Sequence, residues 1–261
     1  MKYLAFLKHI LAINIKASAA RRGAFLLQMG FMILNNLIFF TIWWFFFDSF
    51  EEVGGWRLPE VTVMYGFVAF CFGAGVILFG GTRDFAQVIV DGDLDSYLVQ
   101  PKHPLVQVVF SQSVAAGWGD IVSGIFLYSI SGYASIANTL LLLFALVAVI
   151  AIITSTRIIF HCTAFWLGPV NAVARTFVDF LLIFSVYPQS IFHGPIKVLF
   201  FTLIPAGFVG YIPVELVRSF DWWLALALVG GAIAYVGVAL LLFHAGLKRY
   251  ESGNRIGLRV N

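Results

Sequence analysis

The chain has 261 residues, 61% of them hydrophobic and only 11% charged, with a net charge of +3 and a mean hydropathy of +0.95. A soluble domain carries about 25% charged residues, so the composition excludes a water-soluble globular fold and makes the bilayer the solvent for most of the chain. The small net charge leaves no basis for a nucleic-acid partner, while 28 Phe, 7 Trp and 9 Tyr suit a lipid-facing surface with aromatic belts at its interfaces.

In chain order, residues 3–20 place Leu4, Leu7, Ile10, Leu11, Ile15 and Ala19 on one helical face, opposite lysines that include Lys8 and Lys16. This predicts an amphipathic interfacial helix over 1–22, lying on the membrane surface. The plainer alternative is a charged cap on the first span. The apolar stretch that follows is too long for a cleavable signal peptide and has no small-residue cleavage pattern at its end.

Six transmembrane helices are predicted, at 24–47, 61–81, 105–131, 135–166, 170–187 and 222–243. The first ends in the aromatic run Trp43, Trp44, Phe45, Phe46 and Phe47, followed by an acidic loop over 48–60. The fourth is long enough to need tilt or an extension beyond the bilayer near Arg157. Between the fifth and sixth, residues 188–221 are apolar but interrupted by Pro188, Pro195, Pro205 and Pro213 and by Gly194, Gly207 and Gly210. Proline removes a backbone donor and clashes with the preceding turn, so a broken, re-entrant hairpin is expected rather than one straight helix. A complete extra span is the alternative. With six spans, thirteen of the 16 Lys and Arg fall on one side and Arg57, Lys197 and Arg218 on the other. This bias places both termini in the cytoplasm. The fold expected is therefore all-α and integral to the membrane, one transmembrane domain over 1–261.

The polar island in this apolar chain is 82–104. Its centre carries Asp91, Gly92, Asp93, Leu94, Asp95, Tyr97, Leu98 and Pro101. Three carboxylates lie within five residues, yet Leu94, Tyr97 and Leu98 keep i, i+3, i+4 spacing, which gives a short helix an apolar edge. Gly92 and Pro101 bracket it as start and stop. A cytoplasmic docking helix is one reading. A solvated loop whose Leu and Tyr rest on lipid headgroups is the other.

Catalytic motifs are absent. The sequence has no GxxxxGK[ST] phosphate loop, no HExxH and no Gly-x-Ser-x-Gly, so an enzyme is not expected. Cys71 and Cys162 form no CxxC or Cys/His cluster and read as small apolar packers. Ionisable residues inside the spans are more telling, because charge in hydrocarbon is costly. Asp120 falls near the middle of the third span. Arg157 and His161 share one face of the fourth, as do Arg175 and Asp179 in the fifth. Each is either part of a polar pathway or a structurally paired or snorkelling group.

These features resemble the permease subunits of ABC transporters, type-2 (ABC-2) exporter class, including uncharacterised permeases related to antibiotic exporters. The residues that carry the resemblance are Gly92, Leu94, Asp95, Tyr97, Leu98 and Pro101, which look like the family's pattern after the second span, and the Pro-broken segment before the last span. The resemblance covers essentially the whole chain. It implies a permease half that dimerises with an identical or homologous permease and couples to separate cytoplasmic ATPase subunits. It also implies that 82–104 is the coupling helix, and that ATP and Mg are bound by the partner and not by this chain. An ion-coupled secondary transporter using Asp120 and Asp179 is the main alternative, and a non-transporting assembly protein the next. The cell membrane is the expected location in each case.

Overall fold

The computed structural model describes residues 2–188, 192 and 194–251, with the side chains of residues 2–4 excepted. The side chain of Leu4, residues 189–191 and 193 of the hairpin, and Arg255 and Arg259, two of the thirteen cations counted on the cytoplasmic side, lie outside the described residues. Within them the regular structure is helical, apart from an isolated antiparallel bridge between Val53 and Trp56.

Helix α1 (Lys2–Ala19) is followed by α2 (Arg22–Ser49) and α3 (Leu58–Leu78). A 3-10 turn at Gly80–Asp84 leads into three short helices, α4 (Phe85–Val90), α5 (Asp95–Leu98) and α6 (Pro104–Val109). Helices α7 (Ala116–Ile130), α8 (Ile136–Cys162) and α9 (Ala164–Leu167) come next, then α10 (Asn171–Ser185). Helix α11 (Pro195–Thr202), a π-helical turn at Gly207–Tyr211 and α12 (Ile212–Arg218) precede the last helix, α13 (Trp222–Leu247).

Among the described residues, α2, α3, the α8–α9 run and α13 are long and apolar enough to cross a membrane, and α11 with the Gly207–Arg218 helix makes a pair bent by 76° that counts as a fifth if it spans. Two of the six expected spans are shorter than the sequence reading. Helices α7 and α10 have 15 residues each, about 22 Å at 1.5 Å per residue, against a hydrocarbon thickness of about 30 Å.

The third predicted span, 105–131, is in fact broken into α6 and α7. The physical reason lies in the 3-10 turn just after α3, whose glycines let the chain cross at backbone distance. A Cβ on Gly81 would stand 1.8 Å from the Val108 carbonyl oxygen, and one on Gly80 2.7 Å from that of Gln112. The Val114 N–H donates to the Val76 carbonyl at 3.2 Å. Asn14 of α1 satisfies the Phe110 carbonyl freed at the break, at 2.7 Å. Asp120 therefore sits in the second turn of a short helix, not at the middle of a long one.

Helix α3 is the centre of the fold. Its most apolar stretch is 83% buried, against 11% for α2 and 17% for α13. It packs on α7 through two glycine pairs. A Cβ on Gly73 would meet the Gly117 carbonyl at 2.5 Å, and one on Gly124 would meet that of Gly66 at 2.5 Å. Small residues of this kind let helix backbones approach where water provides no driving force. Gly119, on another face of α7, does the same against Met29 of α2, so α7 is wedged between α2 and α3.

Helix α3 runs from Glu60, near which Glu52 and Glu215 also lie, to the turn carrying Arg83 and Asp84, where Asp84 pairs with Arg175; these are the acidic and the basic end. At the acidic end Arg218 holds the 48–57 loop. It donates to the Gly55 carbonyl at 2.8 Å, pairs with Glu215 at 2.6 Å and stacks over buried Trp56. The turn needs Gly54 and Gly55, both at positive φ. The Tyr133 hydroxyl donates to Glu60 at 2.7 Å. Burial and that carboxylate push Tyr133 up to about 12. The Pro-broken segment is anchored by Gly210, which approaches the Ser185 carbonyl so closely that a Cβ would stand 1.8 Å away.

Candidate functional site

Two neighbouring chambers and one exposed edge hold the residues singled out from the sequence. The first chamber, of about 440 Å³, lies toward the basic end and brings together Asp120, Arg157, His161, Arg175 and Asp179. The sequence reading paired these residues only within single helices. The fold unites them because α7, α8 and α10 all face the same flank of α3. Arg83, from the turn after α3, joins them and was not singled out from sequence, since its position beyond the second span looked merely interfacial.

Their roles differ. Asp120 is buried and accepts a hydrogen bond from Asn36 Nδ2 of α2 at 2.7 Å. Asn36 is a second functional candidate that sequence reasoning missed, and the signal for it was an amide pair, Asn35 and Asn36, inside an otherwise apolar span. His161 is buried with Nδ1 accepting the Ala86 backbone N–H at 3.1 Å. It thereby caps one of the unpaired donors at the start of α4. Arg175 pairs with Asp84, not with Asp179 one turn along its own helix. Arg157 is 5% exposed and, among the described residues, has no carboxylate within 4.0 Å and no hydrogen-bond partner for Nη1. Its guanidinium lies over the Phe72 ring at 5.7 Å.

The second chamber, also about 440 Å³, continues toward the acidic end between α2, α3 and α10. Aromatic and aliphatic side chains line it, among them Phe39, Trp43, Phe46, Tyr65, Ile183 and Tyr187. Met32, Phe72, Asp120 and Leu182 border both chambers, so the two adjoin at the Asp120–Asn36 pair.

The edge is the 82–104 segment, which is rooted in the body by its own apolar residues. Gly92, at φ +76°, turns the chain after α4. Leu94 is wholly buried in a cluster that includes Phe85, Leu105, Ile158, Cys162 and Phe243. Tyr97 is half-buried against the same cluster. Buried Gln107 donates to the carbonyls of Tyr97 and Lys102 at 3.3 and 3.0 Å. The Lys102 ammonium sits over Phe6 of α1 at 5.2 Å. The Tyr250 hydroxyl, just beyond α13, faces Asp95, and burial together with that carboxylate pushes it up to about 12. The apolar edge expected to face a partner is thus divided. Leu94 and Tyr97 pack inward, whereas Leu98 (42% exposed) and Val99 (85%) face out beside Asp93, Ser96 and Pro101. Val99 was not singled out because it falls off the i, i+3, i+4 ladder.

Cys71 and Cys162 are buried and unbridged. Among the described residues no three His, Cys, Asp or Glu side chains converge as metal ligands.

A bundle of long apolar helices around a chamber of buried ionisable groups defines a multi-pass membrane protein with a polar interior. A family model described as ABC-2 family transporter protein matches residues 31–254, and the chain belongs to that family. It is an ABC-2 type permease, a membrane transport component of a family that works with ABC ATPase subunits. No curated protein and no solved structure matches the chain.

Proposed function

We propose that this chain is the permease half of an ATP-driven exporter, one transmembrane domain over 1–261. It pairs with a second identical or homologous permease and couples to separate ATPase subunits through 82–104. Those subunits bind ATP and Mg, and this chain binds neither. In this reading the basic end faces the cytoplasm, a placement supported by the thirteen-to-three charge bias of the six-span reading, so both termini are cytoplasmic, α1 lies on the inner surface of the cell membrane, and the bent pair within 188–221 re-enters from outside. The family match over 31–254 carries the assignment. The coupling role is supported by the exposed pair Leu98 and Val99, held on a segment that Leu94 and Gln107 fix to the body. A small apolar anchor with a polar rim is the pattern of a protein interface hot spot.

The two chambers offer the path. Helix α2 presents Phe31, Leu34, Ile38 and Ile42 to its surroundings, all more than half exposed. A second permease against α2 and α10 would enclose both chambers between the protomers.

The test is co-purification of the chain with its cognate ATPase. Leu98→Glu with Val99→Glu is expected to abolish capture while leaving thermal stability unchanged. Export that runs on an ion gradient without ATP, and stops on Asp120→Asn, would overturn the reading in favour of a secondary transporter.

A further inference from the structure

We infer that the two adjoining chambers form one binding site for an anionic amphiphile, its acidic head held at Arg157 and its apolar body lying in the aromatic chamber between α2 and α10. The inference deepens the permease reading and rests on it only for calling the ligand cargo.

Arg157 carries the argument. A guanidinium with nearly all its surface removed from water is expensive to bury without an anion in contact. Asp120 and Asp179 line the same chamber, but neither reaches Arg157 within 4.0 Å. Asp120 is engaged by Asn36, and Arg175 by Asp84. Arg157 thus remains a buried cation with no carboxylate in contact, lining a chamber large enough for a ligand group, with its enclosed Nη1 lacking a hydrogen-bond partner. Arg83 adds positive charge to the same wall, where Arg175 is matched by Asp84. A planar guanidinium of this kind matches phosphate, sulfate or carboxylate oxygens, to which its hydrogen bonds are charge-assisted.

The second chamber identifies the rest of the ligand. It begins at Met32, Phe72 and Leu182, which also border the head chamber, and continues past Phe39, Trp43 and Tyr187. A free inorganic anion would use only the first chamber, and a neutral hydrocarbon only the second. An amphiphile with an acidic head uses both.

The test is titration of the purified full-length chain, in a neutral maltoside detergent, with dodecyl phosphate. Inorganic phosphate and dodecyltrimethylammonium serve as comparisons. Dodecyl phosphate is expected to bind saturably and at least about tenfold more tightly than inorganic phosphate, and dodecyltrimethylammonium not to bind saturably. Arg157→Gln should weaken dodecyl phosphate about tenfold or more, the scale of one charge-assisted hydrogen bond. Arg83→Gln, at an exposed position, should weaken it less and serves as the readout if Arg157→Gln fails to fold. Asp179→Asn should tighten binding. Equal binding of the cationic and anionic amphiphiles, or phosphate binding as tight as dodecyl phosphate, would overturn the inference. So would a stability loss in Asp179→Asn that Arg157→Gln restores, because Arg157 would then serve as a structural partner of Asp179. None of these measurements involves the ATPase, so failure of ATPase capture would sink the permease reading and leave this one standing.

Discussion

Gly73 and Gly124 show what a missing side chain does in this bundle. Each lies so near a backbone carbonyl of the opposite helix that a single added methyl would require the helices to separate. Gly73→Val is therefore expected to cost at least the ~1–3 kcal/mol typical of overpacking, seen as a lower unfolding temperature in detergent, whereas Gly30→Ala, with open space around it, should change little. Asn36 and Asp120 make a second residue-level case. Removing the amide with Asn36→Leu leaves a buried carboxylate without its donor, a loss of about 1–3 kcal/mol. The double change Asn36→Leu with Asp120→Leu should recover part of that stability. If it does not, the pair is not what holds α2 to α7 at this level.

Among the elements, the 82–104 segment depends on contacts from both ends of the chain. Helix α1 reaches it through Phe6 and Lys102, and the end of α13 through Phe243, His244 and Tyr250. His103 starts α6 and faces His244, with ring centroids 5.5 Å apart. Burial, and then the neighbouring imidazole, lower the His103 pKa below its ordinary value. A histidine shifted down is held neutral by the packed state, so that state is favoured above the ordinary histidine range and weakened as pH falls through it. Protection factors, which are amide exchange corrected for its intrinsic pH dependence, are expected to drop across α6 and the last turn of α13 as pH falls from about 7.5 to about 5.5. His103→Gln should remove most of that difference. Tyr250→Phe should loosen 91–98 selectively, since it leaves a ring in the cluster but takes the hydroxyl from Asp95.

At the scale of the whole molecule, burial is lopsided. Helix α3 is enclosed on nearly every side, while α2 and α13 expose most of their surface. Lipid suffices to cover α13. On α2 the exposed face borders the open chambers, and that juxtaposition favours a protein neighbour there. Both native cysteines are buried, so cysteines placed on α2 report cleanly. Ile38→Cys is expected to cross-link two copies of the chain under oxidation if the dimer is of identical subunits, and Trp222→Cys, exposed on α13, is not. Cross-linking at Trp222 and none at Ile38 would place the interface elsewhere.

The sequence by itself determined the solvent, the helical class and the family resemblance, because hydrophobic runs of spanning length and a cluster of carboxylates need no tertiary information to be recognised. The Pro-rich break before α13 was legible for the same reason, since proline acts on its own backbone. Tertiary structure decided the rest. Whether 105–131 is one helix or two depended on Gly80 and Gly81, some 25 residues away, which let another backbone cross at contact distance. Leu94 and Leu98 are equally apolar, and only the position of the Phe85–Phe243 cluster turns one inward and leaves the other exposed. Arg83, Asp120, Arg157, Arg175 and Asp179 lie in four separate stretches of sequence. No local pattern could show that they share a chamber, or that Arg157 would be buried there with no carboxylate in contact.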